Sequence, residues 1–178
     1  LDFNSFGIIY ASAQKNIGPA GVNIVIVDKN ILGKVKRAIP TIMDYRNHVK
    51  EKSIINTPPV FAVYVCMLTL QWLKQQGGID AIEKINNEKA DVLYNAIDTS
   101  SIYIPTAEKE DRSTMNECFI MNDSELAKKF LDFARYNNIY CIKGHRSVGG
   151  FRASMYNALP LRSVQHLVEV MKEFERKV

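Results

Sequence analysis

The sequence predicts an α/β fold, and three of its features carry that prediction. An almost continuously apolar run, Val22 to Asp28 (VNIVIVD), follows a first apolar strand at Gly7 to Ala13 across a Gly/Pro turn. A strand without polar alternation is expected to be covered on both faces. Two long helical runs come next, at about 58–76 and 79–97. From Ser100 short strand candidates alternate with helices, the pattern of a separate α+β module.

Taken in order, Lys29 to Ala38 reads as a short helix that stops before Pro40, and Asp44 to Ser53 is polar with no clear period. Pro58-Pro59 opens the next helix, where a missing backbone donor costs least, and the helix runs to about Gln76. Val60, Phe61, Val63, Tyr64, Met67, Leu68 and Leu73 cover most of its circumference, so it is expected to be largely buried. After Gly77-Gly78 a second helix, Ile79 to Ile97, carries a narrower apolar stripe of Ile82, Ile85, Leu93 and Ile97. Strands are expected at Ile102 to Ile104, Met115 to Met121, Ile139 to Lys143 and Phe151 to Tyr156. Helices are expected at Ser124 to Asn137 and Leu161 to Lys177, the former with Asp123 and Glu125 suited to its N-terminus. A domain boundary is expected between residues 98 and 99, giving domains 1–98 and 99–178.

With 47% hydrophobic and 24% charged residues, the chain has the composition of an ordered globular protein and not of a disordered one. The net charge of +4 comes from Lys and Arg spread among Asp and Glu, which argues against a nucleic-acid face. Aromatic residues fall mainly on apolar faces, not interleaved with surface cations as single-strand binding requires. Cys66, Cys118 and Cys141 each sit in an apolar run without zinc-site spacing, and are read as buried thiols in a reducing cytoplasm. No metal site is expected. No signal-peptide pattern is present, and the longest apolar stretch, Val60 to Leu70, is far short of the roughly 20 residues a membrane helix needs. The chain opens on Leu1 and enters a strand at once, so a piece of a longer protein is expected.

Lys15 lies between the two strands, just before the Gly/Pro turn. A lone lysine there is a solvated strand-end residue. A Schiff-base lysine instead needs a fixed position against a carbonyl, and the turn Asn16-Ile-Gly-Pro-Ala-Gly21 and the Gln14 amide beside it suit that role. Asn56-Thr-Pro-Pro59 places an amide and a hydroxyl ahead of a helix, either as a plain cap or as donors to an anion. Gly144-His-Arg-Ser-Val-Gly-Gly-Phe-Arg152 sets two guanidiniums and an imidazole around a glycine-rich turn. By itself that is an anion-binding loop or a salt-bridged turn.

Together the three strings, and the continuation Ala153-Ser-Met-Tyr-Asn157, resemble the phosphoserine aminotransferases across nearly the whole chain, in the same order. The resemblance implies the pyridoxal-phosphate (PLP) transferase fold of type I. Residues 1–98 would be the end of the large-domain sheet with connecting helices, and 99–178 the α+β small domain. It implies that Lys15 holds PLP and moves a proton between the substrate α-carbon and the cofactor. Gln14, with Asn56 and Thr57 from the neighbouring chain of a homodimer, would bind the cofactor phosphate. Arg152 would clamp the substrate α-carboxylate, while His145 and Arg146 meet the distal phosphate or side-chain carboxylate. The implied reaction takes glutamate and 3-phosphohydroxypyruvate to O-phosphoserine and 2-oxoglutarate, in the cytoplasm, with a related step in vitamin B6 synthesis. The family's other site residues precede Leu1, so the isolated chain is expected neither to transaminate nor to hold PLP tightly. The competing readings are another PLP enzyme of the same fold and a non-catalytic anion-binding or interaction module.

Overall fold

The computed structural model describes residues 2–146 and 149–178, which form two compact units, residues 1–72 and 73–178. In the first unit, β1 (Ile8–Ser12) and β2 (Asn23–Val27) pair antiparallel from Ile8↔Val27 to Ser12↔Asn23. The short helix α1 (Tyr45–Lys50) follows. The helix α2 (Val60–Gln75) begins in this unit and runs past its boundary. Asp44 caps α1: its carboxylate accepts from the Arg46 backbone amide at 3.0 Å and pairs with the Arg46 guanidinium. That cap turns a stretch without apolar periodicity into a helix.

Burial in this unit departs from expectation. Along β2, Asn23 to Ile26 are exposed and only Val27 is partly covered, because β1 and β2 make a sheet of two strands that no further strand joins among the described residues. Helix α2 buries just Ala62 and Cys66, while Val60, Phe61, Val63, Tyr64, Met67 and Leu68 stand exposed. An apolar circumference buries only where a partner surface exists, and these residues meet none on most of that helix. Lys29 to Ala38 is likewise not a helix. A single 3-10 turn, Lys29–Ile31, ends at Leu32, whose backbone is extended.

The second unit packs three helices around a small sheet. Its elements are α3 (Gly78–Asp98), β3 (Ile104–Pro105), β4 (Asn116–Ile120), α4 (Ser124–Tyr136), β5 (Phe151–Ser154) and α5 (Leu161–Glu175). The sheet order is β3-β4-β5, antiparallel throughout. Asp123 starts α4 by accepting from the Glu125 and Leu126 amides at 2.8 and 3.1 Å. No strand forms at Ile139 to Lys143. The segment runs beside β5 and meets it through a Lys143↔Phe151 bridge and the Arg152 amide, which donates to the Ile142 carbonyl at 2.8 Å. Tyr103, Phe119, Phe130, Phe151 and Phe174 form one aromatic cluster, with successive centroids 5.0 to 5.6 Å apart. Ile82, Leu93 and Ile97 line the buried face of α3, which packs on α5, so α3 lies in the second unit rather than closing the first. Of the thiols only Cys66 is buried. Cys118 is half-buried, and Cys141 is exposed in a left-handed turn at φ 60°. Among the described residues no helix is long and apolar enough to cross a membrane.

Among the described residues, one carboxylate in this core has no hydrogen-bond partner. Glu117, in the middle of β4, is fully buried and neither carboxylate oxygen has a hydrogen bond. Arg112 is committed to Asp98 through two 2.7 Å bonds and lies 4.4 Å over the Tyr94 ring. Burial pushes the Glu117 carboxyl up to about 9, against the pull of Arg112 and with a small push from Asp91. The folded state then keeps a proton that the unfolded chain releases near 4.5, so stability is full below that pH and falls as pH rises towards 9. Urea unfolding across this range should show a decline approaching about 1.4 kcal/mol per pH unit. Glu117→Gln should flatten it, and an unchanged slope in that variant would remove Glu117 as the cause.

Candidate active site

Strand β1 ends at Ser12, and the next residue, Ala13, is completely buried. The Ala13 amide donates to the Val22 carbonyl at 2.9 Å, while its carbonyl accepts from Ile17 at 3.2 Å and Gly18 at 2.8 Å. The Lys15 amide returns to the Gly18 carbonyl at 2.9 Å. These bonds close the loop into a small ring and hold Lys15 at φ 98°, where a residue with a Cβ is strained. Both Gln14 and Lys15 present exposed side chains from this rigid ring.

Helix α2 supports the ring from behind. A Cβ placed on Gly18 would lie 2.5 Å from Cys66 Sγ and 3.2 Å from Cys66 Cα, and one on Gly21 would touch Ala62 Cβ at 4.0 Å. Ala62 and Cys66 stand one turn apart and are the residues α2 buries. They are the small side chains of a helix otherwise rich in large ones, which is what lets the loop backbone approach. Small residues at one-turn spacing are the sequence signal of such a wall, and they do not by themselves say which loop it meets. Asn56 and Thr57 are exposed in the segment leading into α2, with Asn56 Nδ2 donating to the Thr57 carbonyl at 3.3 Å.

In the second unit residues 144–145 are hydrogen-bonded to residues 149–150. The Gly144 amide donates to the Gly150 carbonyl and the Gly149 amide to the His145 carbonyl, each at 2.8 Å. Gly150, at φ 63°, leaves no room for a Cβ, which would lie 2.7 Å from both the Phe119 carbonyl oxygen and Ile120 Cγ2. His145 and Arg146 are exposed on this loop, and Ser147 and Val148 of the same string lie outside the described residues. Arg152 stands on β5, whose Phe151 and Ala153 face the core while Arg152 and Ser154 face outwards. The structure thus gathers Gln14 and Lys15 on one ring, and His145, Arg146 and Arg152 on one turn and the strand it feeds. Chemically, the first set offers an amine and an amide donor, the second an imidazole and two guanidiniums suited to anions.

The family model of class-V aminotransferases matches residues 1–167. The chain is 56% identical over 178 residues to the phosphoserine aminotransferase of Flavobacterium psychrophilum, covering 100% of this chain and 50% of that protein. To the phosphoserine aminotransferase of Porphyromonas gingivalis it is 53% identical over 179 residues, covering 99% of this chain and 50% of that protein. Among solved structures, a phosphoserine aminotransferase studied for radiation damage of its Schiff base superposes with a TM-score of 0.94 at 45% identity. The match covers 100% of this chain and 50% of that one. The enzyme from Bacillus circulans subsp. alkalophilus gives 0.93 at 40% identity, covering 99% and 49%. The chain therefore spans about half the length of the curated relatives it matches.

The contact behind the ring is directly testable. Gly18→Ala should destabilise the protein by roughly 1–3 kcal/mol through overpacking, read by thermal unfolding. Adding Cys66→Ala should recover part of that loss. Simple additivity of the two changes would mean they do not touch.

Proposed function

Because the chain belongs to the class-V aminotransferase family, we propose that it supplies the cofactor lysine and the substrate-anion residues of a phosphoserine transaminase. The reaction proposed is amino transfer between glutamate and 3-phosphohydroxypyruvate, giving O-phosphoserine and 2-oxoglutarate, in a cytoplasmic homodimer. A related substrate of vitamin B6 synthesis fits the same anion set. The observation that carries this reading is the closed ring that holds Lys15 at the end of β1.

PLP fits the donor chemistry: it needs an amine for its carbonyl carbon and hydrogen-bond donors for its phosphate, and Lys15 and Gln14 are neighbours in the chain. Asn56 and Thr57 would reach the phosphate of the neighbouring subunit's cofactor. When bound, PLP supplies the electron sink for the substrate α-carbon. The chain's own residues do the rest. Lys15 Nζ would hold the cofactor and, as a free amine, would take the proton from that carbon. Its ring keeps the amine where it must act, since little backbone freedom remains to be lost. The Arg152 guanidinium grips the α-carboxylate through two parallel bonds, which a lysine does not offer. His145 and Arg146 accept the second anion, a phosphate or a carboxylate in turn. In the parent enzyme residues 1–98 would close the large domain and 99–178 form the small one, with α3 as the connecting helix that lends its apolar face to the latter.

In a full-length enzyme containing this chain, Lys15→Ala should cut turnover by at least about a thousandfold. It should also abolish the mass increase seen after borohydride trapping with PLP. Turnover within a few fold of wild type would sink the assignment. Arg152→Lys should raise the KM for glutamate roughly tenfold or more while sparing cofactor attachment, measured by steady-state kinetics.

A further inference from the structure

Two polar side chains interrupt the apolar face of α3. Asn86 and Lys89 fall on the same side as Ile82, Leu93 and Ile97, and both are buried, Lys89 completely. Lys89 Nζ donates to three backbone carbonyls: Met155 at 3.0 Å, Tyr156 at 3.1 Å and Leu159 at 3.2 Å. Those bonds use every donor an ammonium has. One turn earlier Asn86 Nδ2 donates to Asn157 Oδ1 at 2.9 Å. A single helix face thus grips the segment 155–159, which directly follows β5.

Burying an ammonium is costly, and burial lowers the Lys89 pKa accordingly. An apolar residue would pack this core at less cost, so the contact is of more use in fixing geometry than in adding stability. What it fixes leads straight to β5. The Met155 amide donates to the Met115 carbonyl at 2.8 Å, Ser154 pairs with Asn116, and Arg152 pairs with Cys118. Ser154 Oγ and the Tyr156 hydroxyl both reach Asn116 Oδ1 at 3.2 Å, tying the turn to β4 a second time. We propose that Lys89, helped by Asn86, is a positioning residue for Arg152. By anchoring the carbonyls of the turn after β5, it sets the place from which the guanidinium meets the substrate carboxylate. The proposal rests on the reading of Arg152 given above.

The test uses steady-state kinetics of a PLP-loaded full-length enzyme containing this chain. Lys89→Met should raise the KM for glutamate roughly tenfold with kcat changed less than about threefold. Borohydride-trapped cofactor on Lys15 should be unaffected, and amide hydrogen exchange across 151–159 should quicken. Asn86→Ala should shift KM in the same direction by less, and it serves if Lys89→Met does not fold. Ile82→Ala, on the same buried stripe but with an apolar side chain that makes no hydrogen bond to the turn, is the control for lost stability alone. A glutamate KM in Lys89→Met and Asn86→Ala no higher than in Ile82→Ala overturns the positioning role while leaving the transaminase reading intact. A wild type that does not transaminate sinks that reading, and the positioning role with it.

Discussion

The rest of the proposed site depends on the Ala13 carbonyl. It accepts from two amides, Ile17 and Gly18, and in doing so bends the chain into a ring one residue after β1 ends. Lys15 is inside that ring and has no freedom to relax to an ordinary φ. Strain of this kind persists only where neighbouring structure over-determines it. Here the determinants are the Ala13–Val22 bond at one end and the wall of Ala62 and Cys66 at the other. A catalytic amine gains from such a mounting, because disorder removed on folding need not be removed at each turnover.

The second unit solves a different problem by similar means. Its anion-binding candidates sit on a turn and an outward strand face, neither of which packs into the core. Their placement therefore comes from below. Phe151 and Ala153 plant β5 in the core, Gly150 lets the backbone pass close over β4, and Lys89 holds the following turn by its carbonyls. In each unit an exposed reactive group is carried by backbone that buried neighbours have immobilised.

Much of this was legible in the sequence. The helices of the second unit show amphipathic stripes, and Asp123 marks the start of α4 as a capping residue should. The strings around Lys15, Asn56 and Arg152 point to one family by their residues and order alone. Burial was not legible for β2 and α2, since an apolar run states what a segment would like to cover and not what lies against it. The segment 139–142 reads as a strand because its residues favour one, yet whether it pairs regularly depends on the edge of β5 beside it. Gly18 against Cys66 and Lys89 against the 155–159 turn join residues far apart in the chain. Their signals were present, as small residues at one-turn spacing and polar residues on an apolar stripe, but their partners were not.

The aromatic cluster has a bearing on how the second unit assembles. Phe119, Phe130, Phe151 and Phe174 come from β4, α4, β5 and α5, and Tyr103 from the segment before β3, so no ring finds its neighbours within its own element. Helix α5 alone contributes Val164, Leu167, Val168, Val170, Met171 and Phe174 to the interior. Such a core has no self-sufficient half, because each ring is covered by residues of other elements. Removing α5 would therefore uncover the Phe130 ring that Phe174 packs against, and with it the rings of β4 and β5 that Phe130 joins.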